Sequence, residues 1–342
     1  MSTPPRRGRP LLSATLVVGA ALLSRNAQAW GPDGHHTVAA IADKLLAGTN
    51  AAAQVRTILG SVSLVDAAVW ADCAKGVTVP GFTYQSAGRY PECAGFETAA
   101  EEAAMIDFVK RNATNCKPKP REEVCHKQYH YADIAIQHDS YEPTFEGART
   151  DDIASAVRAA ITVLQGAAAP APFSIKDKRE ALLLLVHYVG DIHQPLHVGA
   201  VYLDANGKLV DPDVGHFDPA TETRGGNEIN VVGGHANLHA TWDAIPASLK
   251  MNAGEVHANL LAEAKAVPAT KGIIVDWPVA WASDTQKQAV KALGGLTFEP
   301  KIGKTWSTTL PQSYAKSMSA IKRTQLTTAG ARLALLLAAI WP

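Results

Sequence analysis

The apolar positions of this chain follow a helical pattern through most of its length. They predict helices near residues 35–46, 96–111, 150–164, 175–189, 237–242, 253–267, 280–292 and 313–340. Alanine and leucine are abundant in these stretches, and both favour helix. Strand-like alternation is scarce. Only Glu228-Ile-Asn-Val-Val232 reads as a short strand or extended loop. Residues 76–94 and 201–226 are rich in Gly, Pro and Asp and read as loops. The expected fold is all-α: a single, mainly helical domain over residues 30–342, with long loops. The apolar run 333–341 is far below the ~20 residues a membrane span needs. It reads as the last turns of a packed helix, and Trp277 and Trp281, at helical spacing, read as core.

One predicted helix carries chemistry. Its sequence runs Leu182-Leu-Leu-Leu-Val-His187-Tyr-Val-Gly-Asp191-Ile-His193-Gln-Pro195-Leu-His197. It begins almost wholly apolar, as a buried helix does. Yet His187 and Asp191 stand four residues apart and share one face. A buried carboxylate beside a buried imidazole is costly without a compensating partner. A metal ion is the simplest such partner.

The first 29 residues read as a targeting segment. Arg6, Arg7 and Arg9 precede an apolar stretch over 11–23, and Ala27-Gln28-Ala29 is a small-residue cleavage site. Cleavage after Ala29 would make Trp30 the first mature residue and export the protein, to the periplasm or beyond, without a membrane anchor. The general secretory and twin-arginine routes both remain open. The remaining chain, about 310 residues, suffices for one large domain or two. One is expected, because neither a low-complexity linker nor an internal repeat is visible.

Lys and Arg total 32, as do Asp and Glu. Four of the arginines fall in residues 1–29, which hold no acid, so the mature chain is mildly acidic. That argues against a broad basic nucleic-acid footprint. It leaves room for an enzyme that grips a few nucleotides through metal ions. The four cysteines, Cys73, Cys93, Cys116 and Cys125, suggest disulfides in an exported chain. Local pairing (Cys73 with Cys93, Cys116 with Cys125) would staple two Pro/Gly-rich loops, though three connectivities fit the sequence. A thiolate zinc site is disfavoured, because no CxxC spacing exists.

Further donors are spread along the chain. Trp30-Gly31-Pro-Asp-Gly-His35 opens the mature segment, followed by Trp70-Ala71-Asp72 and His130-Tyr131-Ala132-Asp133. Arg224-Gly-Gly-Asn227 precedes Asn237-Leu-His239-Ala-Thr-Trp-Asp243, where His239 and Asp243 repeat the four-residue spacing. These are too many ligands for one tetrahedral zinc. Imidazole and carboxylate donors without thiolate suit a hydrolytic zinc cluster, with manganese second. His36, His126, His138, His193, His216, His235 and His257 read as packing or surface groups, because ligation needs convergent partners. Asn112-Ala113-Thr114 matches a glycosylation sequon, a pattern frequent by chance.

Together these motifs resemble the zinc-dependent single-strand-specific nucleases and 3′-nucleotidases. These are class I nucleases of the S-one/P-one type, distant relatives of bacterial zinc phospholipase C. The resemblance rests on the new terminal Trp with a His five residues on, WAD, HYxD, HxxxDxxQPLH, RGGN and LHxxWD. It ends in the helix containing Ala329-Gly330-Ala331-Arg332-Leu333-Ala334 and spans essentially the whole mature chain. It implies three zinc ions. The first would be held by Asp72, His130, His187 and Asp191, and the second by His197, His239 and Asp243. The third would be held by His35, Asp191 and the main-chain amine and carbonyl of Trp30, with Asp191 bridging. Because that amine exists only after cleavage, the precursor should be impaired.

The resemblance also implies hydrolysis of single-stranded DNA, RNA and 3′-nucleotides at the P–O3′ bond, leaving 5′-phosphates. The expected state is a monomer. Asp72 and Asp191 would lie at the catalytic centre. Lys75 takes the place of the usual Arg three positions after the WAD aspartate, supplying charge without the bidentate fork. Tyr131 would stack on a base, which tolerates any base, and Asp133 would accept a hydrogen bond from the base edge. Asn227 would lie by the phosphate or near the second zinc. The need to splay a base out explains a preference for single strands.

The stretch between His197 and His239 is longer than in the fungal members, and residues 202–218 read as an inserted acidic loop at the rim of the site. Two other functions stay open. A phospholipase C would use a similar cluster. Asp243 where that enzyme would carry Glu, the long spacing to it, and the Tyr131–Asp133 pair weigh against it. A non-catalytic exported zinc-binding protein would need affinity alone, which a shared bridging carboxylate does not serve.

Overall fold

The computed structural model describes residues 1, 30–118, 123–252 and 254–342. The targeting segment expected before Trp30 lies, but for Met1, outside the described residues. From Trp30 onward the chain is mainly helical, as its pattern predicts. The first four helices are α1 (Pro32–Leu46), α2 (Asn50–Leu59), α3 (Leu64–Ala67) and α4 (Trp70–Ala74). Next come α5 (Ala99–Asn112), α6 (Cys125–Gln128), α7 (Ile153–Leu164) and α8 (Lys178–Asp191). The last four are α9 (Leu238–Asp243), α10 (Ala258–Lys265), α11 (Trp277–Leu293) and α12 (Tyr314–Ile340).

Local chemistry sets the helix starts. Thr49, Thr98, Asp152, Asp177 and Asn237 each place a side-chain oxygen on a backbone N–H of the first turn, satisfying a donor that the helix leaves open. In α5, Glu101 and Glu102 occupy the first turn and Lys110 and Arg111 the last, matching the helix dipole.

Helix α8 is the axis of the molecule. Every residue from Glu180 to Asp191 is buried, and α1, α2, α3, α4, α7 and α12 pack around it. Helix α12 lies along α1 and approaches it closely at Gly330. A β-carbon there would fall 2.6 Å from Ile41 Cβ. Trp277 and Trp281 are buried, as expected. Among the described residues no helix is long and apolar enough to cross a membrane.

Helices α2, α3, α4 and α6 were not apparent in the pattern. Three of them are four or five residues long, too short for a periodic signal, and α2 carries three alanines directly after Asn50 that give little contrast. The short strands also exceed expectation. β1 (Ile134–Ala135) pairs in parallel with β2 (Gly199–Ala200). β3 (Tyr202–Leu203) forms a hairpin with β4 (Leu209–Val210) inside the expected loop. The segment read as a strand is β5 (Ile229–Val231); β6 (Glu299–Ile302) and β7 (Thr305–Thr308) join it in the order β5-β7-β6. The partners of β5 are distant in sequence, so its pattern alone could not reveal a sheet.

Both disulfides are local: Cys73–Cys93 and Cys116–Cys125. The first ties α4 to the loop that follows it. The sequon at Asn112 is no glycosylation site in this fold. Asn112 is fully buried, and its Nδ2 donates to the Phe108 and Ser174 carbonyls, each at 2.9 Å.

Candidate metal centre

The end of α8 gathers donors from the whole chain. His187 and Asp191 project from one face of its last turns, both fully buried. Asp72 arrives on α4 and His35 on the first turns of α1. A 3-10 turn over Pro195–His197 brings His197 back toward the end of α8. The β1–β2 pairing then aligns His197 with His130. Ala132 N donates to His197 O at 2.8 Å, and Ile134 N to Val198 O at 2.9 Å. Helix α9 presents His239 and Asp243 on one face, as their spacing predicts.

Donor atoms lie within 4.8 Å of one another in three buried groups: His35, Asp72 and His187; His130, His187 and Asp191; His197, His239 and Asp243. In the middle group, Asp191 Oδ2 is 2.9 Å from His130 Nδ1 and 3.0 Å from His187 Nε2. Its other oxygen, Oδ1, is 3.3 Å from His35 Nε2. Asp191 therefore faces two neighbouring sets of imidazoles with its two oxygens.

The tautomers follow from the outer hydrogen bonds. His187 Nδ1 donates to Ala68 O at 2.7 Å, His197 Nδ1 to His130 O at 2.8 Å, and His239 Nδ1 to Gly225 O at 2.7 Å. Each Nε2 is left with a lone pair aimed inward. His197 Nε2 and His239 Nε2 then face each other at 3.2 Å, and His187 Nε2 faces His130 Nδ1 at 3.1 Å. The opposed lone pairs of His197 and His239 repel unless a cation lies between them. Anchoring of the outer nitrogen to a carbonyl is how metal-ligating imidazoles are oriented.

Several buried atoms also lack a hydrogen-bond partner among the described residues: both ring nitrogens of His35, Asp191 Oδ1 and Asp243 Oδ2. Unsatisfied groups of this kind call for a ligand. Electrostatics agree. Burial, then His187, pulls the His35 imidazole down to about 4. Burial, then His197, pulls His239 down to about 3. Both stay neutral, the form that ligates. Burial alone would raise Asp191, but His187 and His197 outweigh it and hold the carboxyl well below its ordinary range. Burial pushes Asp243 well above that range despite a hydrogen bond from Gln194, with Asp191 and Asp72 adding to the rise. Nearby positive charge would reverse that cost. The donor set therefore fits metal ions.

Of the other expected residues, Lys75 reaches this centre directly. Lys75 Nζ is 2.7 Å from Asp72 Oδ1. Burial works against its charge, but Asp72 and Asp191 outweigh burial and raise the ammonium above its usual value. The Trp30 side chain is fully buried, folded over the first turn of α1. The adjacent Gly31 N donates to Asp243 O at 3.1 Å, which moors the start of this segment to α9. Tyr131 is half-buried. The Asp133 carbonyl accepts from Tyr202 Oη at 2.6 Å, so the loop that begins at Tyr202 braces this segment. Asn227 Nδ2 donates to Arg224 O at 2.9 Å, holding the turn that supports His239.

Two supporting residues escaped sequence reasoning. Gln194 is fully buried; its Nε2 donates to Asp243 Oδ1 at 2.8 Å while its Oε1 accepts from Leu196 N at 2.6 Å. Its place inside the QPLH motif was the available signal. Lys322, from distant α12, donates to the carbonyls of Thr241 at 2.8 Å and Ala244 at 2.5 Å, closing the C-terminal end of α9. No local pattern marks it. His193 behaves as a packing group. Its Nδ1 donates to Val189 O at 2.8 Å, and Nε2 accepts from Arg332 at 3.1 Å.

Fold and site together define a mainly helical protein with a buried imidazole–carboxylate centre suited to metal ions. The chain belongs to the S1/P1 nuclease family, whose model matches residues 30–342. Its relatives include nuclease P1 of Penicillium citrinum and nuclease PA3 of a Penicillium species, each 28% identical over 219 residues. Each match covers 63% of this chain and 57% of the relative's length.

Proposed function

We propose that this protein is an exported zinc-dependent phosphodiesterase. It hydrolyses single-stranded DNA and RNA to 5′-phosphorylated products and removes the phosphate of 3′-nucleotides. The observation that carries this reading is the pair of inward-facing imidazole contacts, at 3.1 and 3.2 Å, beside unpartnered carboxylate oxygens in a buried centre. Family membership gives that centre its reaction class. The two disulfides support export.

Asp72, His130, His187 and Asp191 would hold one zinc, and His197, His239 and Asp243 a second. Trp30, His35 and Asp191 would hold a third. Bound there, zinc would supply Lewis acidity to activate water and bear the charge of the departing 3′ oxygen. The chain's residues do the rest. Asp191 joins two of the sites through its two oxygens. Gln194 fixes the rotamer of Asp243. Lys75 stands beside Asp72 as a positive charge for the phosphoryl oxygens. Tyr131 stacks on a base, Asp133 accepts from the base edge, and Asn227 lies by the phosphate. Cleavage after Ala29 would free the Trp30 amine.

The test uses processed protein beginning at Trp30. It is incubated with single-stranded DNA, RNA and a 3′-nucleotide, with and without a chelator, and the product ends are identified. Chelator-sensitive release of 5′-phosphorylated products, restored by zinc, is expected. A folded, zinc-loaded sample that cleaves none of these overturns the reading. Turnover of phosphatidylcholine in its place would favour a phospholipase.

A further inference from the structure

The turn Arg224-Gly225-Gly226 holds three successive residues in the left-handed region, with φ of 54°, 58° and 86°. At Gly225 the need for glycine is steric as well. A β-carbon there would fall 2.6 Å from Leu196 O. Position 224 adopts the same conformation yet carries an arginine, whose β-carbon is strained there. Strain of this kind persists where a side chain is needed for function.

Stability does not account for Arg224. Its side chain is 38% exposed, and its ion partner Glu123, at 3.7 Å, is 41% exposed. Pairs so open to solvent contribute little. Its location is more telling. The next residue, Gly225, supplies the carbonyl that holds His239 Nδ1 at 2.7 Å. A β-carbon on Gly225 would stand 3.3 Å from Asp133 Oδ1. Arg224 therefore directly precedes a residue that approaches both a metal-ligand group and the proposed base-edge acceptor. Its partner Glu123 acts electrostatically on Lys75. Glu123 is thus near enough to two cations, Lys75 and Arg224, to act on both.

We infer that Arg224 binds a phosphodiester flanking the scissile one, and that Glu123 holds its guanidinium until a single strand displaces it. The inference rests on the nuclease reading of this centre. A guanidinium fork matches phosphate oxygens in a way an ammonium does not. A 3′-mononucleotide carries one phosphate, which belongs at the metal centre, so Arg224 acts on oligonucleotides. Glu123 repels the same polyanion. It makes the site selective for strands long enough to compensate.

The test compares kcat/KM on a ten-nucleotide single strand with kcat/KM on a 3′-mononucleotide, using zinc-loaded processed protein. Arg224→Gln should lower the ratio about tenfold, the worth of one charge-assisted hydrogen bond, with the change in KM. Glu123→Gln should raise the ratio, and Arg224→Lys should fall between Arg224→Gln and the parent. Anisotropy of a labelled, cleavage-resistant phosphorothioate strand provides a readout free of turnover. The slope of log affinity against log salt should shrink by about 0.7 in Arg224→Gln, the value for one phosphate on a single strand. A merely structural turn residue would leave ratio and slope unchanged, or move both variants in the same direction, and either result overturns the inference. If Arg224→Gln misfolds, Glu123→Gln alone decides by whether the ratio rises. A parent protein that cleaves neither substrate would instead fail the nuclease reading.

Discussion

Substitution of Gly190 by Ala tests the metal centre through packing alone, without replacing a donor. Gly190 lies in α8 beside Asp191, and a β-carbon there would meet His35 Nδ1 at 2.7 Å and Cε1 at 3.0 Å. Ordinary contact begins near 3.5 Å, so the ring must retreat by roughly 0.5–1 Å. It has little freedom to do so, being stacked on His187 with ring centroids 3.9 Å apart. Metal–ligand distances tolerate about 0.2 Å, so this displacement is several times too large for His35 to ligate. Two terms oppose each other in stability. Ala gains about 1 kcal/mol over Gly inside a helix, while overpacking costs about 1–3 kcal/mol. The metal-free protein should therefore lose no more than about 2 kcal/mol and stay folded. The zinc-loaded protein should lose one of its ions. Metal content after dialysis against a weak chelator is the assay, with urea unfolding of the metal-free form as the control. A folded Gly190→Ala protein that retains the parent's full metal content and activity would refute the role assigned to His35.

Other consequences are as open to measurement. Gln194→Leu leaves Asp243 Oδ1 without its donor; zinc affinity at the site of His197, His239 and Asp243 should fall about 10–100-fold, as read by competition with a chromophoric chelator. Burial, then Lys127 and Lys75, lowers the His126 imidazole from 6.5 to about 3. The unfolded chain takes up that proton below pH 6.5 and the folded chain does not, so stability is lost as pH falls from 6.5 toward 3, by up to ~1.4 kcal/mol per unit. In His126→Leu the loss between pH 7 and 5 should shrink by as much as about 2 kcal/mol; parallel urea curves for the two proteins would contradict this. Replacing Cys73 and Cys93 by Ala removes a link across 20 residues, worth about 3 kcal/mol on loop-closure grounds, and the unfolding midpoint should drop accordingly.

Much of the centre could be read from spacing. His187 with Asp191, and His239 with Asp243, share a helix face because four residues span about one turn, a relation fixed by backbone geometry alone. The apolar run before His187 announced burial, and α8 is indeed buried from Glu180 onward. The two disulfides took the local pairing that the spacing allowed but did not single out. Residues 201–226 read as a loop because their one hairpin, β3–β4, has strands of only two residues and much of their remaining order comes from outside themselves. Tyr202 bonds to Asp133 O, and Asp213 lies 2.8 Å from His138 Nε2.

The sequence by itself determined which donors exist, which pairs share a helix face, and that one of those helices is buried. All of these are properties of neighbours along the chain. Only the tertiary structure decided that the pairs meet. The β1–β2 register sets His130 against His197, Gly31 moors the first segment to Asp243, and Lys322 closes α9 from a helix some eighty residues away. Such contacts depend on long-range packing and on hydrogen bonds to main-chain atoms, which every residue type offers, so side-chain pattern carries no record of them.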